Sequence, residues 1–286
     1  MTLLDPVALK ERLRSHLLHL VRERDPYLAT AGHFYVQQYI RDQLGQWGEV
    51  ETHDFPRQQR THTNLILNLP GKHAAAPPIL LGAHYDAVPG TPGADDNASG
   101  VAALLELAQF FSAQPANCPL RLVAFDLEEY GMVGSSHYAE ILRQQKQKLR
   151  LMLSLEMLGY CTQEPNSQRY PVDAMKAMYP STGNFIGLIG NLPAIPDLLH
   201  FNHHLTQAGV PSQWLPAGMR GNLIPATRLS DHAPFWDRNY RAVMVTDTAF
   251  MRNPHYHQSS DRLETLNLDF LTGICQGLMQ AILTLR

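Results

Sequence analysis

The residues of this sequence best suited to chemistry are two histidines and six acids. They are His84, Asp86, Asp95, Asp96, Glu128, Glu129, Glu156 and His257. Each set lies at or beyond the carboxyl end of a predicted strand, where open α/β sheets bind their ligands. Imidazole and carboxylate groups that converge at one sheet edge suit Zn²⁺, a borderline-soft cation. The spacing therefore predicts a metal-dependent site.

Several of these acids also occur where an unpaired charge is unfavourable. Taken singly, a histidine is more often hydrogen-bonded than metal-bound, and adjacent acids usually face solvent. Here, however, Glu128 and Glu129 follow the apolar run 122–125, and Glu156 is flanked by apolar residues at 153, 155, 157 and 158. Burying a carboxylate without a partner carries a large free-energy penalty. The sequence therefore indicates that a cation lies nearby.

The elements that must position these residues alternate between strand and helix. Apolar runs predict strands at 49–55, 63–69, 79–84, 120–127, 151–158, 184–189 and 242–247. Helical spacing predicts helices at 6–23, 31–47, 98–113, 134–148, 193–208 and 266–285. This order is typical of the α/β class with a mostly parallel sheet. Residues 160–182 and 211–230 are predicted to be long loops of the kind that form binding sites.

Composition excludes several classes of function. The net charge of −3 is evenly spread, so neither nucleic acid nor a membrane surface is an expected partner. The three cysteines are scattered and odd in number, which argues against a disulfide framework. No repeat or linker divides the chain, which predicts one domain over residues 1–286. The absence of a recognisable leader predicts a cytoplasmic protein unless a leader has been removed.

Six sequence blocks together resemble a known family. They are His84-Tyr85-Asp86, the run 93–100, Glu128-Glu129-Tyr130-Gly131, Leu155-Glu156-Met157, the run 230–235 and Tyr256-His257. In order and spacing these blocks resemble the zinc aminopeptidases of peptidase family M28 over roughly residues 63–286. The resemblance implies a single-domain sandwich whose mixed sheet of about eight strands carries helices on both faces.

Carried over position by position, the resemblance implies five metal ligands. They are His84, Asp96, Glu129, Glu156 and His257. Asp96 would bridge two zinc ions, the first also held by His84 and Glu156 and the second by the remaining pair. Many family members have aspartate where Glu156 stands, and glutamate carries the same ligand atom one methylene further out. The resemblance also implies a cis peptide bond between Asp96 and Asn97.

Other residues take supporting roles under the same resemblance. Asp86 would hold His84 in its metal-binding tautomer. Glu128, next to a ligand, would be the general base. Tyr256 would donate its hydroxyl to the developing oxyanion, or else be a packed loop aromatic. Asp231 would join a hydrogen-bond network near the base, or cap a helix that begins at residue 232.

The expected function is an aminopeptidase that acts on peptides with a free N-terminus. Two zinc ions roughly 3.5–4 Å apart would activate a shared water for hydrolysis. The alternatives are a glutaminyl cyclase with one zinc, a related metallo-carboxypeptidase or amidohydrolase, and a non-catalytic binding module. The intact ligand set favours two metals and hydrolysis. Side-chain preference depends on the long loops, where Met219 and Arg220 are candidates together with Phe250.

Overall fold

The computed structural model describes residues 5–285 and contains one eight-stranded sheet. The strands are β1 (Val50–Arg57), β2 (Arg60–Leu69), β3 (Ile79–His84), β4 (Leu120–Phe125), β5 (Leu151–Glu156), β6 (Ile186–Asn191), β7 (Ser212–Ala217) and β8 (Ala242–Thr246). The helices are α1 (Pro6–Leu20), α2 (Thr30–Leu44), α3 (Gly100–Ala113), α4 (Val133–Gln144), α5 (Ile195–Gln207), α6 (His232–Asp237) and α7 (Leu268–Thr284). The single-domain prediction spans residues 1–286, of which 1–4 and 286 lie outside the described residues.

The order of strands across the sheet decides where the functional side chains meet. It is β1-β2-β4-β3-β5-β8-β6-β7. The neighbouring strands β4, β3, β5 and β8 are mutually parallel, whereas β2 and β6 run antiparallel to this central group. The carboxyl ends of four adjacent strands therefore lie at one edge of the sheet, and the chain leaves all four at that edge.

Both faces of the sheet are covered by helices. Leu81 and Leu153 face a core that includes residues from α1, α3, α5 and α7. Leu80 and Met152 face the opposite core, which includes residues from α4 and α6. Central strands buried on both faces explain the continuous apolar runs in the sequence. The predicted α/β class, with a mixed sheet of about eight strands and helices on both faces, is confirmed.

Two segments differ from the sequence-based expectation. The predicted loop 211–230 is wrong in its first part, because Ser212–Ala217 forms the edge strand β7. Its mostly half-buried residues and Pro216 hide the strand pattern, and proline is tolerated at a sheet edge. The six-residue helix α6 was not predicted, since it is too short to show a helical repeat. Residues 160–182 do form a long loop, with one short helical turn at Asp173–Ala177.

Two predicted strands also end earlier than expected. β4 ends at Phe125 and β5 at Glu156, each two residues before the predicted end. The backbone turns at Leu127 (φ 59°) and Met157 (φ 49°), both in the left-handed region.

In residues 5–285 no helix has both the length and the apolar character needed to cross a membrane.

Candidate metal centre

Strand ends and the loops that follow them bring the predicted ligands together. His84 is the last residue of β3 and Glu156 the last of β5. Glu129 lies in the turn that follows β4, and His257 lies in the loop between β8 and α7. Asp96 belongs to a distorted turn, Ala94–Ser99, directly before α3. The Asp96–Asn97 peptide bond is cis, as the family resemblance implies.

The five side chains form two triads that share Asp96. In the first, His84 Nε2 lies 3.3 Å from Asp96 Oδ1 and 3.6 Å from Glu156 Oε2. In the second, His257 Nε2 lies 3.1 Å from Asp96 Oδ2 and 3.3 Å from Glu129 Oε2. Each oxygen of the Asp96 carboxylate therefore faces a different triad, which is the arrangement of a bridging ligand.

These distances fit divalent metal ions. A tetrahedral zinc with bonds of about 2.0–2.1 Å to nitrogen and oxygen has ligand atoms about 3.3–3.4 Å apart. The histidine–carboxylate distances of 3.1–3.6 Å match that spacing. Moreover, His84 Nε2, His257 Nε2 and Glu129 Oε1 are buried without a well-aligned hydrogen bond in the part of the chain that the structure describes. Buried polar atoms of native proteins normally have a partner, and a metal ion in each triad would supply one.

The electrostatics of the centre are dominated by crowded acids. Burial, together with the charge of Asp96, raises the pKa of Glu129 to about 7. Burial lowers the pKa of His257, but the carboxylates of Asp96 and Glu129 outweigh it and raise that pKa to about 10. The cluster therefore holds protons at neutral pH. A metal ion that binds here must displace them, which makes metal affinity depend on pH.

Asp86 connects the end of β3, which carries His84, with the turn after β4, which carries Glu128 and Glu129. Its Oδ1 lies 3.3 Å from His84 Nδ1, although the two atoms are not well aligned for a hydrogen bond. The same carboxylate accepts the backbone N–H groups of Glu128 and Glu129, each at 3.1 Å. Asp86 thus lies beside His84 and also fixes the turn after β4.

Glu128 reaches the same centre but belongs to neither triad. Burial raises the pKa of its carboxyl well above the usual range, and the charges of Glu156 and Glu129 add to the effect while His84 opposes it. A carboxyl close to both triads, and not needed as a ligand, is free to exchange a proton with a bound molecule. Its assignment as the general base stays a prediction.

Tyr256 and Asp231 both lie close to the ligands. The Tyr256 ring stacks on His257, with centroids 3.7 Å apart, and lines a pocket together with Glu156. Asp231 is the N-cap residue of α6, as one interpretation predicted, but its side chain forms no capping hydrogen bond. Asp231 is instead fully buried, and burial raises its pKa to about 7 while the charge of His84 opposes this.

Several polar residues of the centre were not predicted. Ser230 Oγ donates to Glu156 Oε2 at 2.7 Å. Asp261 accepts the backbone N–H groups of Asp95 and Asp96 at 3.0 and 3.1 Å. Asp95, a predicted site residue, joins neither triad and instead accepts hydrogen bonds from Asn253 and the Gly159 backbone. Asp261 lies four residues after His257 in the same loop, and this proximity could have indicated from the sequence that Asp261 belongs to the centre.

An apolar pocket opens beside the first triad. Glu156 and Tyr256 are part of its lining. Most of its wall is apolar, formed by residues such as Tyr170, Met175, Phe185, Trp214, Met244 and Phe250. Phe250, one of the three predicted specificity candidates, therefore lines the pocket. Met219 and Arg220 do not, and Arg220 instead donates to Asn239.

Part of the chain matches a known peptidase family. A sequence profile of peptidase family M28 matches residues 64–187. The chain is 34% identical over 259 residues to YfbL of Escherichia coli K12, itself described as uncharacterized, and the match covers 85% of this chain and 77% of that protein. It is 38% identical over 102 residues to the aminopeptidase YwaD of Bacillus subtilis, a match that covers 35% of this chain and 22% of YwaD.

Solved structures share the fold at low sequence identity. The LapA aminopeptidase of Legionella pneumophila superposes with a TM-score of 0.71 at 20% identity, covering 96% of this chain and 72% of LapA. A glutaminyl cyclase of Bacteroides thetaiotaomicron gives 0.72 at 15% identity and covers 100% and 99% of the two chains. The zinc aminopeptidase BSAP of Bacillus subtilis gives 0.55 at 23% identity and covers 80% and 52%.

Proposed function

Because the chain belongs to peptidase family M28, we propose that it is a two-zinc aminopeptidase that removes large apolar residues from the N-termini of peptides. The observation that carries this proposal is the position of Asp96, whose two carboxylate oxygens face two separate ligand triads. An enzyme with one metal needs only one of these triads. Zinc is the preferred ion because each triad combines one imidazole with two carboxylates.

The protein's own residues supply the remaining chemistry. Zinc bound in the triads would lower the pKa of a bound water and polarise the scissile carbonyl. Glu128 takes a proton from the attacking water and delivers it to the leaving amine. Asp86 orients His84 and the turn that carries Glu128. Tyr256, stacked on His257, donates its hydroxyl to the developing oxyanion.

Restriction to the N-terminus follows from the charge of the site. The free α-amine of a peptide is a cation, and the centre carries two acidic side chains beyond its metal ligands, Asp86 and Glu128. A substrate whose amine is acetylated loses that attraction. We therefore expect cleavage of the first residue only when its amine is free.

The preference for a large apolar side chain follows from the pocket. Glu156 and Tyr256, which belong to the proposed metal centre, also line the pocket. A substrate side chain next to the scissile bond can therefore enter the pocket. The wall offers aromatic and aliphatic surface, and burial of such surface is worth about 25 cal/mol per Å². A leucine or phenylalanine side chain gains this burial, whereas a charged side chain would lose its hydration.

Glutaminyl cyclase is the alternative that the shared fold leaves open. That activity would need a single zinc and a substrate with an N-terminal glutamine. The second triad of Asp96, Glu129 and His257 argues for a second metal. The largely apolar pocket wall argues against an amide side chain as the preferred occupant.

A substrate screen on metal-reconstituted protein tests the proposal. Metal-free protein is titrated with zinc and assayed with leucyl, phenylalanyl, alanyl and lysyl p-nitroanilides, an acetyl-leucyl control and a glutaminyl peptide. We expect activity to rise to its maximum at two zinc ions per chain and to be highest for leucine or phenylalanine. Maximal activity at one zinc, or product from the glutaminyl peptide alone, would contradict it.

A further inference from the structure

An arginine far from the ligands in sequence contacts the loop that carries Asp96. Arg24 lies between α1 and α2, before the residues that match the family profile, and its side chain is only 1% exposed. The five N–H groups of the guanidinium lie within hydrogen-bonding distance of six backbone carbonyls, so at least one N–H is shared between two of them. The six carbonyls are those of Leu20, Arg22, Tyr85, Pro92, Gly93 and Asp96. These acceptors are carbonyl oxygens and not carboxylates. Arg24 therefore fixes the path of the main chain.

The contact with Asp96 is part of a two-sided arrangement. Arg24 Nη2 donates to the Asp96 carbonyl at 3.0 Å and to the Gly93 carbonyl at 2.8 Å. On the other side, Asp261 Oδ2 accepts the Asp96 backbone N–H at 3.1 Å. We call Arg24 and Asp261 the Asp96 clamp. Both peptide groups that flank the Asp96 Cα are held, so the clamp fixes the direction in which the short side chain leaves the backbone.

Gly93 gives independent evidence that the guanidinium must approach closely. Its φ of 59° lies in the left-handed region, which favours glycine. A Cβ at this position would lie 2.3 Å from the Asp96 carbonyl oxygen and 2.8–2.9 Å from the two terminal nitrogens of Arg24. Any side chain here would displace the Arg24 guanidinium or the Asp96 carbonyl.

We propose that Arg24 is a positioning residue for the metal centre, which holds the Asp96 carboxylate where it can serve both triads. The inference rests on the proposed function, because it requires that metal ions bind the triads. A bridging carboxylate must satisfy two metal ions at once, so it tolerates less displacement than a ligand of one ion. Residues that orient metal ligands typically change metal affinity by roughly 10- to 100-fold when replaced.

The charge of Arg24 gives a competing explanation with a different outcome. The guanidinium is surrounded by the charges of Asp96, Asp261, Asp86 and Glu129. If it served only as a counter-charge, its removal would leave a more negative centre that binds zinc more tightly. Lysine separates the two explanations, because it keeps the charge but lacks the planar fork that spans two carbonyls.

The test measures zinc affinity and stability on the full chain. Arg24→Lys, Arg24→Met and Gly93→Ala are compared with Arg12→Met, a control that removes the pair between Arg12 and the buried Glu106. Zinc dissociation constants come from competition with a chromogenic chelator. Urea unfolding with and without zinc gives the stabilisation that zinc provides. If Arg24→Met does not fold, Arg24→Lys and Gly93→Ala still test the proposal.

The expected result is a loss of zinc affinity in every clamp variant. Arg24→Lys, Arg24→Met and Gly93→Ala should bind zinc about tenfold or more weakly, and zinc should stabilise them less than it stabilises the wild type. Arg12→Met should lose stability equally with and without zinc and bind zinc normally.

Three outcomes would overturn the inference. Unchanged zinc affinity in destabilised Arg24 variants would make Arg24 a purely structural residue. Tighter binding by Arg24→Met with normal binding by Arg24→Lys would make it a counter-charge. A wild-type protein that binds no zinc would refute the proposed function together with this inference.

Discussion

Shortening Glu156 by one methylene should weaken zinc binding at the first triad. Glu156→Asp withdraws the carboxylate by up to about 1.5 Å, one carbon–carbon bond. In the wild type Glu156 Oε2 lies 3.6 Å from His84 Nε2 and accepts a hydrogen bond from Ser230 Oγ at 2.7 Å. An aspartate that reaches toward the metal must therefore leave Ser230, and one that stays with Ser230 falls short of the metal.

The size of the effect follows from the lost hydrogen bond. A hydrogen bond to a charged group contributes about 1.5–3 kcal/mol. If metal binding by Glu156→Asp requires breaking that bond, zinc affinity should fall by roughly 10- to 150-fold. Ser230→Ala should have a smaller effect, because it removes the same hydrogen bond from the metal-free and the metal-bound protein and leaves the reach of Glu156 unchanged.

The assay is zinc competition with a chelator, followed by turnover of a leucyl substrate at saturating zinc. Glu11→Asp, at an exposed position on α1, makes the same chemical change away from the centre and should leave both measurements unchanged. If Glu156→Asp binds zinc and turns over substrate as well as the wild type, the position is forgiving and the geometric reasoning is wrong.

Three further predictions concern the base, the pocket and pH. Glu128→Gln should keep both metals, as measured by elemental analysis, but its turnover should fall by about 10²–10⁴-fold. Glu129→Gln should instead lose one metal. Loss of zinc from Glu128→Gln would mean that the base and the ligand have been interchanged. Gly187→Val should lower kcat/KM for leucyl substrates more than for alanyl substrates. Gly187 lines the pocket, and a Cβ there already meets the Thr246 carbonyl oxygen at 3.3 Å. An unchanged ratio of the two kcat/KM values would mean that the substrate side chain binds elsewhere. Zinc affinity should fall as pH decreases from about 10, because a proton on His257 (pKa about 10) competes with the metal, and should fall more steeply below about 7, where Glu129 (pKa about 7) is also protonated. Affinity that does not depend on pH would contradict this.

The sequence predicted the parts of the fold that depend on strong apolar patterns. The central strand β3 has the bounds that its apolar run indicated, because it is buried on both faces. β7 was not predicted, because an edge strand with half-buried residues and a proline lacks a continuous apolar run. The ends of β4 and β5 were placed too late because the left-handed backbone at Leu127 and Met157 has no signature in these residue types.

The candidate site also has features that the sequence predicted and features that it did not. The five predicted ligands meet in two triads because each belongs to a motif at a strand end or in a loop at the same sheet edge. Arg24 and Ser230 act through contacts between segments distant in sequence, 72 residues from Arg24 to Asp96 and 74 from Glu156 to Ser230. The pocket is likewise assembled from several separated segments, so its apolar character was visible only in the folded chain.

The central claim is that Asp96 bridges two metal ions, and anomalous diffraction from crystals of the zinc-loaded protein tests it most directly. We expect two zinc peaks, one in contact with His84, Glu156 and one Asp96 oxygen, the other with Glu129, His257 and the second Asp96 oxygen. A single zinc peak, or two peaks that do not share Asp96, would contradict the account.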